Sequence, residues 1–142
     1  MSSLAVRTEV TSWLNANYSA TPWFDLSYHF DIDEISGNQR DPFLLVQFAA
    51  PNEAISSMGP GNCWREDGVI FLHMVAPVGG DVNAQILNSE NLRVSLRGKR
   101  IGITVIESVT PPTDVDGASI QFDGNWHGFS MRCDYTADHG PD

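Results

Sequence analysis

The sequence predicts an α+β fold: a mostly antiparallel β-sheet with two main helices, about 3–17 and 82–97, packed on it. Three observations carry that prediction. Residues 67–77 are apolar at both alternating sets of positions, with Val69, Phe71 and Val75 on one side and Ile70, Leu72, Met74 and Ala76 on the other. A strand filled on both faces is central and covered twice. The closing segment alternates, Phe129, Met131, Cys133 and Tyr135 facing one way and Ser130, Arg132 and Asp134 the other, as a strand with one apolar face does. Between and before these strands, two segments repeat their apolar residues at the helical period.

The first helix starts behind Ser2 or Ser3, either of which can cap it, and gathers Val6, Val10, Trp13 and Leu14 within about a 100° arc. Arg7, Thr8, Thr11 and Asn15 lie opposite, and Ala20-Thr21-Pro22 ends the helix. Residues 22–42 mix aromatic anchors (Trp23, Phe24, Tyr28, Phe30) with Asp25, Asp31, Asp33 and Glu34, which reads as an edge strand followed by a solvated acidic loop. The Asp31-Ile32-Asp33-Glu34 run has carboxylates at calcium-loop spacing, but Ser36 and Pro42 stand where that loop needs glycine and glutamate. Phe43–Phe48 is a second apolar strand, 51–63 a Pro- and Gly-containing loop, and Trp64-Arg65-Glu66 leads into the central strand.

After that strand, Pro77 denies the ladder a donor, Gly79-Gly80 turns the chain, and Asp81 offers an N-cap carboxylate. The second helix carries two apolar stripes: Val82, Ile86, Leu92 and Leu96 on one side, Ala84, Leu87 and Val94 nearly opposite. One stripe belongs to the sheet; the other covers the first helix or meets another subunit. The candidate subunit-interface residues are Ala84, Leu87, Leu92 and Val94. Gly98 is the helix stop, behind Arg93 and Arg97, which suit the negative end of the macrodipole. Ile101, Ile103 and Val105 alternate in a strand ended by Pro111-Pro112, residues 113–117 are turn chemistry, and 118–122 form a short strand. One domain, 1–137, is expected, with 138–142 a flexible tail.

Composition narrows the function. The chain has 142 residues, enough for one core without staples, and its 18 acidic against 8 basic side chains give a formal charge of −10. That charge supplies no attraction for phosphate backbones or anionic lipid. No apolar run reaches the roughly 20 residues of a membrane span, and the N-terminus lacks a signal-like apolar region, so synthesis in the cytoplasm is expected. Cys63 and Cys133 read as two unlinked thiols.

No constellation points to an enzyme, a metal or a cofactor. His29, His73, His127 and His139 are scattered without zinc spacing, and the nucleophile elbow, P-loop and C-x-x-C are absent. His73, inside an apolar strand, reads as a hydrogen-bonded interior histidine, and Cys133, on an apolar strand face, as a buried and inert thiol.

The arrangement resembles the tail terminator proteins of long-tailed phages, of the lambda type. The resemblance rests on residues 67–80 (Asp-Gly-Val-Ile-Phe-Leu-His-Met-Val-Ala-Pro-Val-Gly-Gly), the helix ending in Leu96-Arg97-Gly98, the closing strand Trp126–Tyr135, and the preceding amphipathic helix, Trp23-Phe24 and 43–48. The helix end departs from the family's Phe-x-x-Gly pattern, and the acidic loop at 31–41 is longer. The resemblance implies a non-enzymatic virion protein, made in the host cytoplasm, that sits as a hexameric ring on the tail tube. Such a ring ends tube polymerisation and provides the head-tail joining surface. Its implied partners are further copies of itself, the major tail tube protein through rim loops 51–63 or 110–119, and a head-completion or neck protein. DNA would pass through its lumen without specific binding. The alternatives are another neck or head-completion protein, or a small α+β enzyme or binding domain with Trp13, Trp23, Phe24, Trp64 and Trp126 around a pocket.

Overall fold

The structure, a computed structural model, describes residues 4–25, 42–49, 52–55, 64–77, 82–114 and 126–139. Among these are two helices, α1 (Leu4–Asn17) and α2 (Val82–Leu96). The strands are β1 (Trp23–Asp25), β2 (Phe43–Phe48), β3 (Asn52–Ile55), β4 (Trp64–Pro77), β5 (Arg100–Ile101), β6 (Thr104–Val109), β7 (Thr113–Asp114) and β8 (Trp126–His139). They join in one sheet of order β1-β2-β4-β8-β6-β5, with β3 also on β4 and β7 also on β8. The fold is α+β as expected. The sheet is mixed, because β1 runs parallel to β2 while every other described pairing is antiparallel.

Its axis is the ladder between β4 and β8, 14 residues each, paired without a break from Trp64–His139 to Pro77–Trp126. At strand rise this ladder is about 45 Å long. β2 and then β3 line the free side of β4, with a one-residue change of register between Phe48 and Asn52. β6 and then β7 line β8, with a further shift between Ile106 and Ser108.

Strand period 2 sorts the core. Leu44, Val46 and Phe48 of β2, Ile70, Leu72 and Met74 of β4, and Met131, Cys133 and Tyr135 of β8 share the face that receives Val6, Val10 and Leu14 of α1 and Leu92 and Leu96 of α2. Each fully buried aliphatic side chain there contributes about 1.5–3 kcal/mol. On the second face Phe43, Leu45, His73 and Val75 are buried, Val69 and Phe71 half-buried. The double covering expected for β4 is therefore complete on the helix side and graded on the other.

α1 touches both ends of the strand order. On one flank Arg7 pairs with Asp25 of β1 and lies 4.7 Å over the Phe48 ring, while Trp23 Nε1 donates to Asn15 at 3.1 Å. On the other, Glu9 accepts from the backbone N–H of Ile103 at 2.8 Å, next to β6. The sheet must curl for one helix to reach both edges, so α1 lies beside the short strand β1 at one edge and the β5–β6 turn at the other. Gly102 makes the second attachment possible: its φ is +61°, and a Cβ there would occupy the Glu9 carboxylate.

Several expectations change. Part of the polar side of α1 meets β1: Arg7 and Thr11 are half-buried there, while Thr8 and Asn15 stay exposed. Residues 101–109 are a hairpin, β5 turning through Gly102-Ile103 into β6, so Thr104, Ile106 and Val109 are buried where alternation placed Ile103 and Val105 inside. Part of the 51–63 loop is β3, and Thr113-Asp114 form β7. β8 runs to His139, so Asp138 and His139 belong to the sheet rather than to a tail. The acidic run 31–34, the turn 79–81, Cys63, His29 and the strand expected at 118–122 lie outside the described residues.

Candidate functional site

Two buried polar clusters sit on opposite faces of the long ladder. On the helix side, Glu66 is 1% exposed, and its carboxylate accepts from Tyr135 Oη at 2.6 Å and meets His139 Nε2 at 3.0 Å. Register explains the geometry. Tyr135 stands directly opposite Gly68, and its ring crosses that glycine to reach the carboxylate two residues back; a Cβ on Gly68 would lie 2.5 Å from Tyr135 Oη and 2.6 Å from its Cζ.

On the second face, His73 joins three strands. Its Nε2 lies 3.1 Å from Gln47 Oε1 on β2 and its Nδ1 2.6 Å from Ser130 Oγ on β8. Since Oε1 can only accept, Nε2 carries the proton and Nδ1 accepts the serine hydroxyl. The imidazole stacks on Phe71 with ring centroids 5.9 Å apart, and burial pushes its pKa down to about 4. A serine hydrogen-bonded to a histidine is half of a nucleophile pair. The third group here is an uncharged amide that gives an imidazolium no electrostatic support, and the histidine is too weak a base to take the serine proton. This cluster ties strands together.

Cys133 lies in the core, and burial, with Asp134 nearby, pushes its thiol up to about 12, so it is protonated and unreactive at neutral pH. Two open grooves flank α1. One, of about 180 Å³, runs between the C-terminal end of α1 and α2, past Trp13, Tyr18, Asn88 and Asn91. The other, of about 440 Å³, lies between α1 and β1, past Leu4, Arg7, Trp23 and Phe24. Each thus uses aromatics named in the pocket alternative, and neither reaches the Glu66 or His73 clusters. Among the described residues no group of three or more His, Cys, Asp or Glu side chains is placed to hold a metal ion, and no helix is long and apolar enough to cross a membrane.

The four candidate interface residues separate. Leu92 is 4% exposed, in the chain's own core with Leu96, because it lies on the sheet-facing stripe; it is withdrawn from the interface set. Ala84 is half-buried. Leu87 and Val94 project outward, 60% and 56% exposed. The inner face of α2 is less apolar than its outer stripe suggests: Gln85 and Ser89 are buried there, and Gln85 Oε1 and Ser89 Oγ have no hydrogen-bond partner among the described residues. Arg97 continues the outer stripe and exposed Lys99 follows it.

Sequence reading missed the Glu66–Tyr135–His139 cluster altogether, since its members are 69 and 73 positions apart and only the strand register brings them together. The one signal was a glycine, Gly68, in an otherwise side-chain-rich strand.

The fold and these surfaces define a class: an α+β protein in which a curled mixed sheet wraps one helix and carries a second with an exposed apolar edge. No family model and no curated protein matches the chain. Among solved structures it is similar to a protein that carries a sequence identifier in place of a descriptive name, with a TM-score of 0.58 and 16% identity over 97% of this chain and 94% of the other. At that identity the likeness establishes the fold.

Proposed function

We propose that this chain is a structural virion protein of the tail-terminator kind, a ring-forming subunit that ends tail-tube polymerisation and presents the surface to which the head joins. The observation that carries the reading is the outer edge of α2. Leu87 and Val94 are large, exposed and one helical stripe, on a helix that already buries Leu92 and Leu96 against its own sheet. A helix with apolar residues on two sides suits a subunit covered on two sides. The order of elements, an N-terminal helix, the long strand, the second helix and the closing strand, supports it as the arrangement that the resemblance implies. The charge of −10 suits a channel that DNA crosses without adhering.

The test is assembly. Purified chain is added to polymerising tail tube protein, and tube length is measured in negative-stain images beside light scattering of the chain alone. The expected result is short, capped tubes with a ring at one end. Tubes that grow to the same length with and without the chain, and no ring at their ends, would remove the terminator role. Binding to a portal or head preparation instead would favour a neck or head-completion protein.

A further inference from the structure

We propose that the exposed stripe of α2 pairs with the same stripe of a second copy, the two helices antiparallel, so that Leu87 and Val94 are covered and Glu90 of each chain meets Arg97 of the other. The pair is a form of the chain free in solution, before any tail tube is met, and so goes beyond the ring reading.

Spacing marks the surface. Asn83, Leu87, Glu90, Val94 and Arg97 follow one another at intervals of four, three, four and three, and all five are exposed. At those intervals one line of side chains stays turned toward a neighbouring helix over several turns. The line lies nearly opposite Gln85, Ser89, Leu92 and Leu96, which are buried against the chain's own sheet. It is also clear of the groove toward α1, which Asn88, Asn91, Leu92 and Ser95 line on the α2 side.

Charge names the occupant. Glu90 and Arg97 stand on either side of Val94 with opposite sign, and neither makes an ion pair among the described residues. They are about 10 Å apart along the helix, with Val94 between them. Arg97 still continues the helix, its N–H bonded to Arg93 O at 3.0 Å. The residues after it leave the stripe: Gly98 N–H donates to Ile106 O and Ile106 N–H to Lys99 O, both at 2.8 Å, which sets Lys99 and Arg100 beside Glu107 of the same molecule.

The order of the charges decides the orientation. Two parallel stripes would oppose Glu90 to Glu90 and Arg97 to Arg97. Antiparallel stripes with a two-fold axis near Val94 place each Glu90 beside the partner's Arg97, twice over, and oppose the two macrodipoles. Such a contact is isologous and closes at two, unlike the heterologous contact that a ring repeats. Where a ring forms on a tube, the pair must first open.

The test is sedimentation equilibrium of the purified full chain over a concentration series, with circular dichroism confirming the fold of each variant. Wild type should dimerise. Glu90→Arg and Arg97→Glu, each alone, put like charges at both junctions and should weaken dimerisation about tenfold, two exposed pairs being turned from attraction to repulsion. The double variant E90R/R97E restores opposite charges and should recover wild-type dimerisation, as should an equimolar mixture of the single variants. Leu87→Ser should weaken it in the wild-type and double-variant backgrounds alike, and Glu107→Gln should leave it unchanged. A wild-type chain that is monomeric throughout, or that forms larger rings with no dimer, overturns the proposal. So does a dimer that neither reversal weakens, since in a parallel pair each reversal only exchanges one like-charge contact for another. If both reversals weaken dimerisation and the double variant does not recover it, Glu90 and Arg97 do not meet, and the proposal fails. Tube capping is read separately by tube length, so failure of the pair leaves the terminator role standing.

Discussion

The two buried polar clusters differ in what would fill them if they were lost. His73 sits among Leu45, Val75 and Phe71, neutral, with each ring nitrogen given one partner, so it behaves as a hydrophobic side chain with two directional contacts. Glu66 brings a carboxylate into the same ladder and depends on donors from Tyr135 and His139, one of which reaches it only because Gly68 lacks a side chain. The first cluster is self-sufficient and the second is contingent. A buried group whose neutral form is native is disturbed by protons; one that requires donors is disturbed by losing them.

Breaking the contingent cluster should have the largest effect. Gly68→Val puts branched carbon where the Tyr135 ring lies, forces the ring off Glu66, and takes the tyrosine donor from a buried carboxylate, which should cost about 3–4 kcal/mol. Urea unfolding of the variant beside wild type measures it; a loss below about 1 kcal/mol would show that Tyr135 can move aside without harm. Tyr135→Phe keeps the ring and removes only the donor, with an expected loss of about 2 kcal/mol.

The self-sufficient cluster is broken by acid. His73 has a native pKa near 4, below its ordinary value of 6.5. The unfolded chain therefore binds the proton more tightly, so the contribution is fully present above pH 6.5 and is lost as pH falls toward 4. A displacement of that size corresponds to about 3 kcal/mol as an order of magnitude. Stability compared at pH 7 and pH 4.5 should fall more in wild type than in His73→Phe, the difference isolating this group from carboxylates that titrate in the same range. Equal slopes in the two proteins would place the acid sensitivity elsewhere.

The sequence reading reached the elements better than their partners. Period-2 and period-3.6 patterns mark the central strand, both helices and the closing strand, because burial on one face is written locally. The hairpin at Gly102 was misread because Ile101, Ile103 and Val105 alternate across a turn, and turn and strand share that period over so few residues. The contact of Arg7 with Asp25 is not legible in the amphipathic pattern of α1, because nothing local says that a sheet will curl far enough to bring them together. Leu92 stands among the interface candidates beside Ala84, Leu87 and Val94 because nothing local says which of the two stripes of α2 faces the sheet, and that choice belongs to packing. His73 was legible as an interior histidine from its apolar neighbours; Glu66 was not, since a glutamate at the start of a strand gives no sign of the tyrosine that will cross a glycine to reach it.

The smallest effect offers the finest comparison. Ser130→Ala removes the hydroxyl that His73 Nδ1 accepts from and leaves that nitrogen buried without a donor. The expected loss is about 1 kcal/mol, that of one neutral hydrogen bond, against the roughly 2 kcal/mol of Tyr135→Phe, where the acceptor is a carboxylate. Combining the two substitutions should give the sum, because the clusters lie on opposite faces of the sheet and share no partner among the described residues. A combined loss well above the sum would mean that the β4–β8 ladder transmits strain between its faces. The two sites would then be parts of one cooperative unit, and the contrast between them would vanish at the level of energy.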